Sequence, residues 1–285
     1  MSKDNKNPNL DNSAIMIAQY KKKRAKLEKT LPPLHPDLGA LYWDMGNIYL
    51  SLSDYANALS HYEKCRTIYE KTLPALHPDL AVLYMNMGSI YDIWRKYDTA
   101  LSYYEKSRTI FEQILPKQHL NLASLYLNIG NCYLSLAKYA NALAYYEKCR
   151  AIREQLLPPQ HLDLASLYLN MGTTHYNLND IDISISYFEK CRAIREQLLP
   201  PLHVDLAKLY LNIGAIYHRL SNHATALAYY EKSRAISEKI LPALHPHFVD
   251  LYMNMGAIYR IQGDNVNALK YYQKSIAIRE KMPPR

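Results

Sequence analysis

Two polar ladders run through the chain at a spacing of forty-two residues, and they are the first candidates for chemistry. One consists of His35, His77, His119, His161, His203 and His245. Imidazoles can ligate a metal or move protons, but a zinc site needs three or four ligands converging on one point. Successive histidines here belong to different segments, and none has a second ligand of consistent type nearby. The ladder therefore predicts a structural role at a turn, and no metal. His175, beside Asn179 and Asp180, stands where the other copies carry tyrosine, a lone variant and thin support for catalysis. The sequence contains no phosphate loop, dinucleotide fingerprint, HExxH or nucleophile elbow. The expectation is a protein that is not an enzyme and holds no cofactor.

The second ladder stands two residues before a recurring glycine: Asp44, Asn86, Asn128, Asn170, Asn212 and Asn254. At about 100° per residue, the amide points roughly 160–200° away from the Tyr, Gly and second Tyr that the pattern directs inward. An amide offers a donor and an acceptor, as a peptide unit does, so such a row can hold the backbone of a bound segment. The alternative is an amide bonded to a neighbouring helix. Around the ladder, Trp43, Met85, Leu127, Leu169, Ser51, Ser135 and Tyr176 give way to Lys208, His218, Arg219 and Arg260. A surface that is apolar at one end and basic at the other suits a peptide with apolar anchors and acidic flanks. The candidate peptide-binding residues are Trp43, Asp44, Asn86, Asn128, Asn131, Asn170, Tyr176, Lys208, Asn212, Arg219, Asn254 and Arg260.

These residues need elements to position them. Tyr126-x2-Ile129-Gly130-x2-Tyr133 recurs forty-two residues away in both directions, and six of the eight glycines occupy this one register. Glycine within a helical pattern costs about 1 kcal/mol against alanine, so its reuse predicts close approach of a second helix. Ala142-x3-Tyr146 follows twelve residues after Gly130, and each copy has an equivalent. Each repeat thus reads as helix A, a short turn and helix B. A Leu-Pro step ends helix B, and His35-Pro36-Asp37 opens helix A. Six repeats follow: 31–72, 73–114, 115–156, 157–198, 199–240 and 241–282. Residues 14–30 align with a helix B and form a half repeat. Residues 1–13 are polar and expected to be disordered, and 283–285 are a tail. No polar capping helix follows the last repeat, so its outer face is expected to be covered by a partner or by further chain.

The order of tyrosine, glycine, tyrosine, alanine and tyrosine resembles the tetratricopeptide signature, with eight residues added to the usual 34-residue unit. The resemblance implies an all-α, right-handed superhelical solenoid of antiparallel helix pairs, with helix A lining a concave groove. In that family, asparagines at this register bond the backbone of an extended peptide. The 42-residue length, His-Pro-Asp, the asparagine before Met-Gly or Ile-Gly and the Glu-Lys of helix B are similar to kinesin light chain. That likeness implies cargo peptides, adaptors and the kinesin heavy chain as partners, although residues 1–30 lack the heptads that would attach a motor. The main reading is a protein–protein interaction scaffold. The alternatives are a kinesin light chain-like cargo adaptor, and a regulatory array whose catalytic domain lies outside this sequence.

Composition agrees with a two-layer stack. Hydrophobic residues make up 49%, and twenty-seven tyrosines against three phenylalanines predict many half-wet sites. The formal net charge of +8 is spread along every helix B, which reads as a solvated face rather than a nucleic-acid surface. Lys21-Lys22-Lys23-Arg24 reads as a helix-end cluster, with a nuclear signal or a phosphate contact as the alternative. Cys65, Cys149 and Cys191 share a register with Ser107, Ser233 and Ser275, and Cys132 replaces an isoleucine. They have neither metal-ligand spacing nor a disulfide framework. Reduced thiols without a signal peptide predict a cytoplasmic location, and no apolar run is long enough to span a membrane.

Overall fold

Each Leu-Pro step ends a helix and each histidine caps the next. The computed structural model describes residues 8–282, with side chains from residue 15 onward. Thirteen helices and no strand occur among the described residues. The chain divides into two compact units. Residues up to Leu136 form one, and residues from Ala137 form the other. The first holds α1 (Pro8–Thr30), α2 (Pro36–Ser51), α3 (Tyr55–Thr72), α4 (Pro78–Ile93), α5 (Tyr97–Ile114) and α6 (Leu120–Ser135). The second holds α7 (Tyr139–Leu156), α8 (Leu162–Asn177), α9 (Ile181–Leu198), α10 (Val204–Arg219), α11 (His223–Ile240), α12 (His247–Ile261) and α13 (Asn265–Lys281). Each unit opens with a helix B, α1 or α7, packed on the helix A that follows it.

α1 starts at Pro8, so residues 8–13 are helical where the polar composition predicted disorder. Proline is suited to a first helical turn, because its missing N–H would have no partner there, and no glycine interrupts the segment. Residues 1–7 and 283–285 lie outside the described residues.

The histidine ladder caps helix A. The Nδ1 of His35 accepts the backbone N–H of Asp37 at 3.2 Å, and His77, His119, His161, His203 and His245 repeat the bond at 3.0–3.2 Å. This satisfies one of the orphan donors at each helix start. At the other end, the chain turns through one left-handed residue per repeat: Ser53, Arg95, Ala137, Asn179, Ser221 and Gly263. The N–H of the next residue then reaches back into helix A, as in Asp54 to the Tyr49 carbonyl at 2.9 Å.

The recurring glycine meets the second helix as its reuse predicts, chiefly through an aromatic ring of that helix, and at Gly256 the Ala268 carbonyl would also lie 3.3 Å from a Cβ. Gly46, Gly88, Gly214 and Gly256 lie against the rings of Tyr62, Tyr104, Tyr230 and Tyr272, and Gly172 lies against Phe188. A Cβ at Gly88 would sit 2.6 Å from Tyr104 Cε1. Tyr62, Tyr104 and Tyr230 are fully buried, as is the alanine one turn before each: Ala58, Ala100 and Ala226. Ser184 replaces that alanine in α9, and its hydroxyl donates to the Gly172 carbonyl at 2.8 Å. The register shared by cysteine and serine is buried at each helix contact, where Ser233 and Ser275 donate to the Ala207 and Val249 carbonyls.

Candidate functional site

The solvent-facing side of helix A carries the asparagine ladder. In the first unit, Asp44, Asn86 and Asn128 are half-buried on α2, α4 and α6. Asp44 accepts the Tyr20 hydroxyl at 3.4 Å. The Asn86 amide reaches the Tyr62 hydroxyl at 3.5 Å, and that hydroxyl donates to Asn47 Oδ1 at 2.7 Å. The ladder here borders the ring that fills the glycine site. Tyr104 uses Ser89 in the same way, at 3.2 Å. Asn128 makes no side-chain hydrogen bond among the described residues. Trp43 stacks on Tyr69 with centroids 6.5 Å apart and tilts against Tyr62 at 6.1 Å, so its ring belongs partly to the core. Asn131 is half-buried on α6.

In the second unit, Asn170, Asn212 and Asn254 stand half-buried on α8, α10 and α12. Asn212 and Asn254 make no side-chain hydrogen bond among the described residues. The register that carries Asn47 and Ser89 in the first unit is Ala215 here, and the buried Tyr230 hydroxyl has no partner. The basic residues differ in their freedom. Arg219 donates to the Tyr176 carbonyl at 2.9 Å and lies 5.0 Å over the Tyr176 ring, which ties two predicted residues to each other. Lys208 is a loose 4.0 Å from Asp205. Arg260 is exposed and makes no ion pair among the described residues.

A second polar system escaped the sequence reading. The tyrosine that opens each signature donates to a glutamate fourteen residues earlier, on the preceding helix B. Tyr42 reaches Glu28 at 2.6 Å, Tyr84 Glu70 at 2.8 Å, and Tyr126, Tyr168, Tyr210 and Tyr252 repeat the bond at 2.9–3.4 Å. Burial, then the glutamate, pushes the Tyr168 and Tyr210 hydroxyls up to about 12. An arginine one turn before the glutamate adds a second link, as in Arg66 to the Tyr103 hydroxyl at 2.7 Å and Arg234 to Tyr271 at 3.1 Å. Lysines cover the rings: Lys106 lies over Tyr84 and Tyr103, and Lys190 over Tyr168 and Tyr187. The signal was present in the sequence as a glutamate in phase with every tyrosine.

The four cysteines are buried and free, and burial pushes the Cys65 and Cys191 thiols up to about 12. No group of three metal-ligating side chains occurs among the described residues, and no described helix is long and apolar enough to cross a membrane. A shallow pocket of roughly 330 Å³ opens among Pro159, Gln160, Tyr168, Lys190, Ala193, Ile194 and Gln197. Of the predicted binding residues, none lines it.

The tetratricopeptide repeat model matches residues 37–113, 121–197, 163–239 and 205–281. The chain belongs to the tetratricopeptide repeat family. Among solved structures, this tetratricopeptide chain is similar to BtubC (BKLC) from P. vanneervenii, at 22% identity and a TM-score of 0.66, over 81% of this chain and 92% of that one. It is similar to the apo form of RapI at 17% identity and 0.69, over 93% and 90%. It also resembles a Podosopora anserina protein of nearly identical TPR-like repeats that carries a kinesin light chain name. That match has 18% identity and a TM-score of 0.59, over 72% and 97%. At these identities the likeness is one of fold. No curated protein matches the chain.

Proposed function

We propose that this tetratricopeptide chain is a non-catalytic scaffold whose helix A faces hold an extended segment of a protein partner. The observation that carries the reading is the set of amides at Asn128, Asn212 and Asn254. They share one register, are half-exposed, and make no side-chain hydrogen bond among the described residues. Each keeps a donor and an acceptor for a peptide backbone. On α10 and α12, Lys208 and Arg260 favour acidic residues in the bound segment, whereas Arg219 is already engaged by Tyr176. The buried free thiols suit a cytoplasmic setting. The motor-adaptor reading rests on the 42-residue unit, its His-Pro-Asp, asparagine and Glu-Lys positions, and a fold-level likeness.

A ligand selected on a peptide array, titrated against paired variants, tests the proposal. A neutral hydrogen bond is worth about 0.5–1.5 kcal/mol net, so Asn212→Ala with Asn254→Ala should weaken binding roughly ten-fold. Asn86→Ala with Asn128→Ala makes the same test in the first unit. Arg260→Glu should lower both affinity and its salt dependence. Normal binding by both double variants, with intact folding, would overturn the groove reading.

A further inference from the structure

Five of the six helix B elements that follow a helix A carry tyrosine at one register: Tyr103, Tyr145, Tyr187, Tyr229 and Tyr271. An arginine of the preceding helix B donates to that hydroxyl, as Arg66 does to Tyr103, Arg150 to Tyr187 and Arg234 to Tyr271. The link runs from one repeat into the next and fastens the joint between them. The first joint departs from this pattern. Its helix B, α3, has His61 at the tyrosine register, with Arg24 of α1 at the arginine register. His61 is 7% exposed and stacks on Tyr49, with centroids 5.1 Å apart. Its Nδ1 lies 2.7 Å from the Asn57 carbonyl. A carbonyl only accepts, so Nδ1 carries the proton and Nε2 is a bare acceptor. That Nε2 is buried and has no partner, so the link to Arg24 is missing here.

The charges that bear on this ring are of one sign. Lys21 and Arg24 come from α1, and Lys64 from α3 itself. α2 supplies the rings of Tyr42 and Tyr49, and Lys64 lies 5.3 Å over that of Tyr42. The acids of the seam are already engaged. Glu28 of α1 accepts the Tyr42 hydroxyl at 2.6 Å and pairs with Arg24 at 3.6 Å. Asp44 of α2 accepts the Tyr20 hydroxyl at 3.4 Å. A second proton on His61 would therefore sit among cations in a nearly dry seam. Burial above all, with Lys64, Arg24 and Lys21 behind it, holds the His61 pKa below the usual imidazole value against the pull of the Asn57 carbonyl.

We infer that α1 is an acid-released latch: a proton on His61 repels Lys21 and Arg24, drives α1 off α2 and frees Asp44, the first rung of the polar ladder, from Tyr20. The docked form binds fewer protons than the undocked one. Docking is therefore complete above the ordinary imidazole value of about 6.5 and weakens as pH falls through and below it. The tyrosines at the other joints do not titrate in this range, so release is confined to α1. The latch needs no ligand on the helix A faces, and so stands apart from the proposed scaffold role.

Hydrogen exchange of the full chain, corrected for the intrinsic effect of pH, tests this at about pH 7.5 and about pH 5.5. With an undocked imidazole titrating near 6.5, proton binding weakens docking by up to about ten-fold between these two values. α1 should lose protection by that factor relative to α4 and α5, whose joint carries Tyr103. Histidine caps both α2 and α4, so protonation of the caps is common to the two joints. His61→Gln should abolish the loss. His61→Tyr, which gives Arg24 the hydroxyl used at the later joints, should abolish it and raise α1 protection at both pH values. In the parent chain, an NMR titration of the His61 ring should fall below about 6.5, and Lys21→Gln with Arg24→Gln should move it upward. A loss of α1 protection below about two-fold in the parent overturns the latch. So does an equal loss in His61→Gln, or a His61 ring that titrates at or above the ordinary value.

Discussion

Replacing Gly88 by alanine is the sharpest test of how helix A meets helix B. The new Cβ would lie 2.6 and 2.7 Å from Cε1 and Cδ1 of Tyr104, against about 3.5–4.0 Å for an ordinary carbon contact. The ring must therefore move by roughly 1 Å. Tyr104 is fully buried and its hydroxyl is held by Ser89 at 3.2 Å, so it has little room to give. Overpacking of this kind costs about 1–3 kcal/mol, and a strained hydrogen bond adds about 1 kcal/mol. Alanine returns about 1 kcal/mol of helix propensity. The net expectation is a loss of about 1–3 kcal/mol. Gly172→Ala is the internal comparison. Its Cβ would meet Phe188 at 3.0 Å, and that ring carries no hydroxyl to lose, so strain and propensity nearly cancel. A repeat array need not unfold in two states, so hydrogen exchange of α4–α5 and α8–α9 is a better assay than a single melting point. The reasoning is refuted if Gly88→Ala is as stable as the parent, or if Gly172→Ala costs more.

Two further outcomes follow from other contacts. Burial, and secondarily His245, lowers the pKa of His247, whose Nε2 lies 3.0 Å from the Ser233 hydroxyl. The folded state thus binds fewer protons, so its contribution is complete above the ordinary imidazole pKa of about 6.5 and fades as pH falls through and below it. His247→Asn should narrow the difference in melting temperature between about pH 7.5 and about pH 5.5, and an unchanged difference would count against this. The Tyr84–Glu70 bond has a charged acceptor, so Tyr84→Phe should cost about 1–3 kcal/mol. In a double-mutant cycle with Glu70→Gln, most of that cost should appear as coupling, and additive losses would argue that the bond is idle.

The helix pairs were legible because one pattern repeats in phase, so each tyrosine or glycine is read six times rather than once. The histidines could be placed at a turn from the adjoining proline and aspartate, although the sequence did not specify which atom caps which N–H. The glycine's partner was not legible. A small residue signals close approach, but periodicity does not distinguish a backbone from a ring such as Tyr104. Contacts between repeats were hidden for a related reason. Arg219 and Tyr176 are 43 residues apart, and nothing local to either announces that the guanidinium rests on the ring. Of the asparagine face, the register was readable, but the bond from Asn86 to Tyr62 depends on the spacing between two packed repeats.

The tyrosine–glutamate bond has a consequence for how such a chain can change over generations. All six joints use the same two residue types at the same separation, so any helix B is chemically compatible with any helix A that follows it. Unequal recombination in frame, by a whole multiple of forty-two codons, would add or delete repeats without creating a mismatched joint. The sockets remain standard while residues such as Lys208 or Arg260 drift on the exposed faces. Length and the exposed faces can therefore vary independently of the joints, and Glu280 holds the same register on α13.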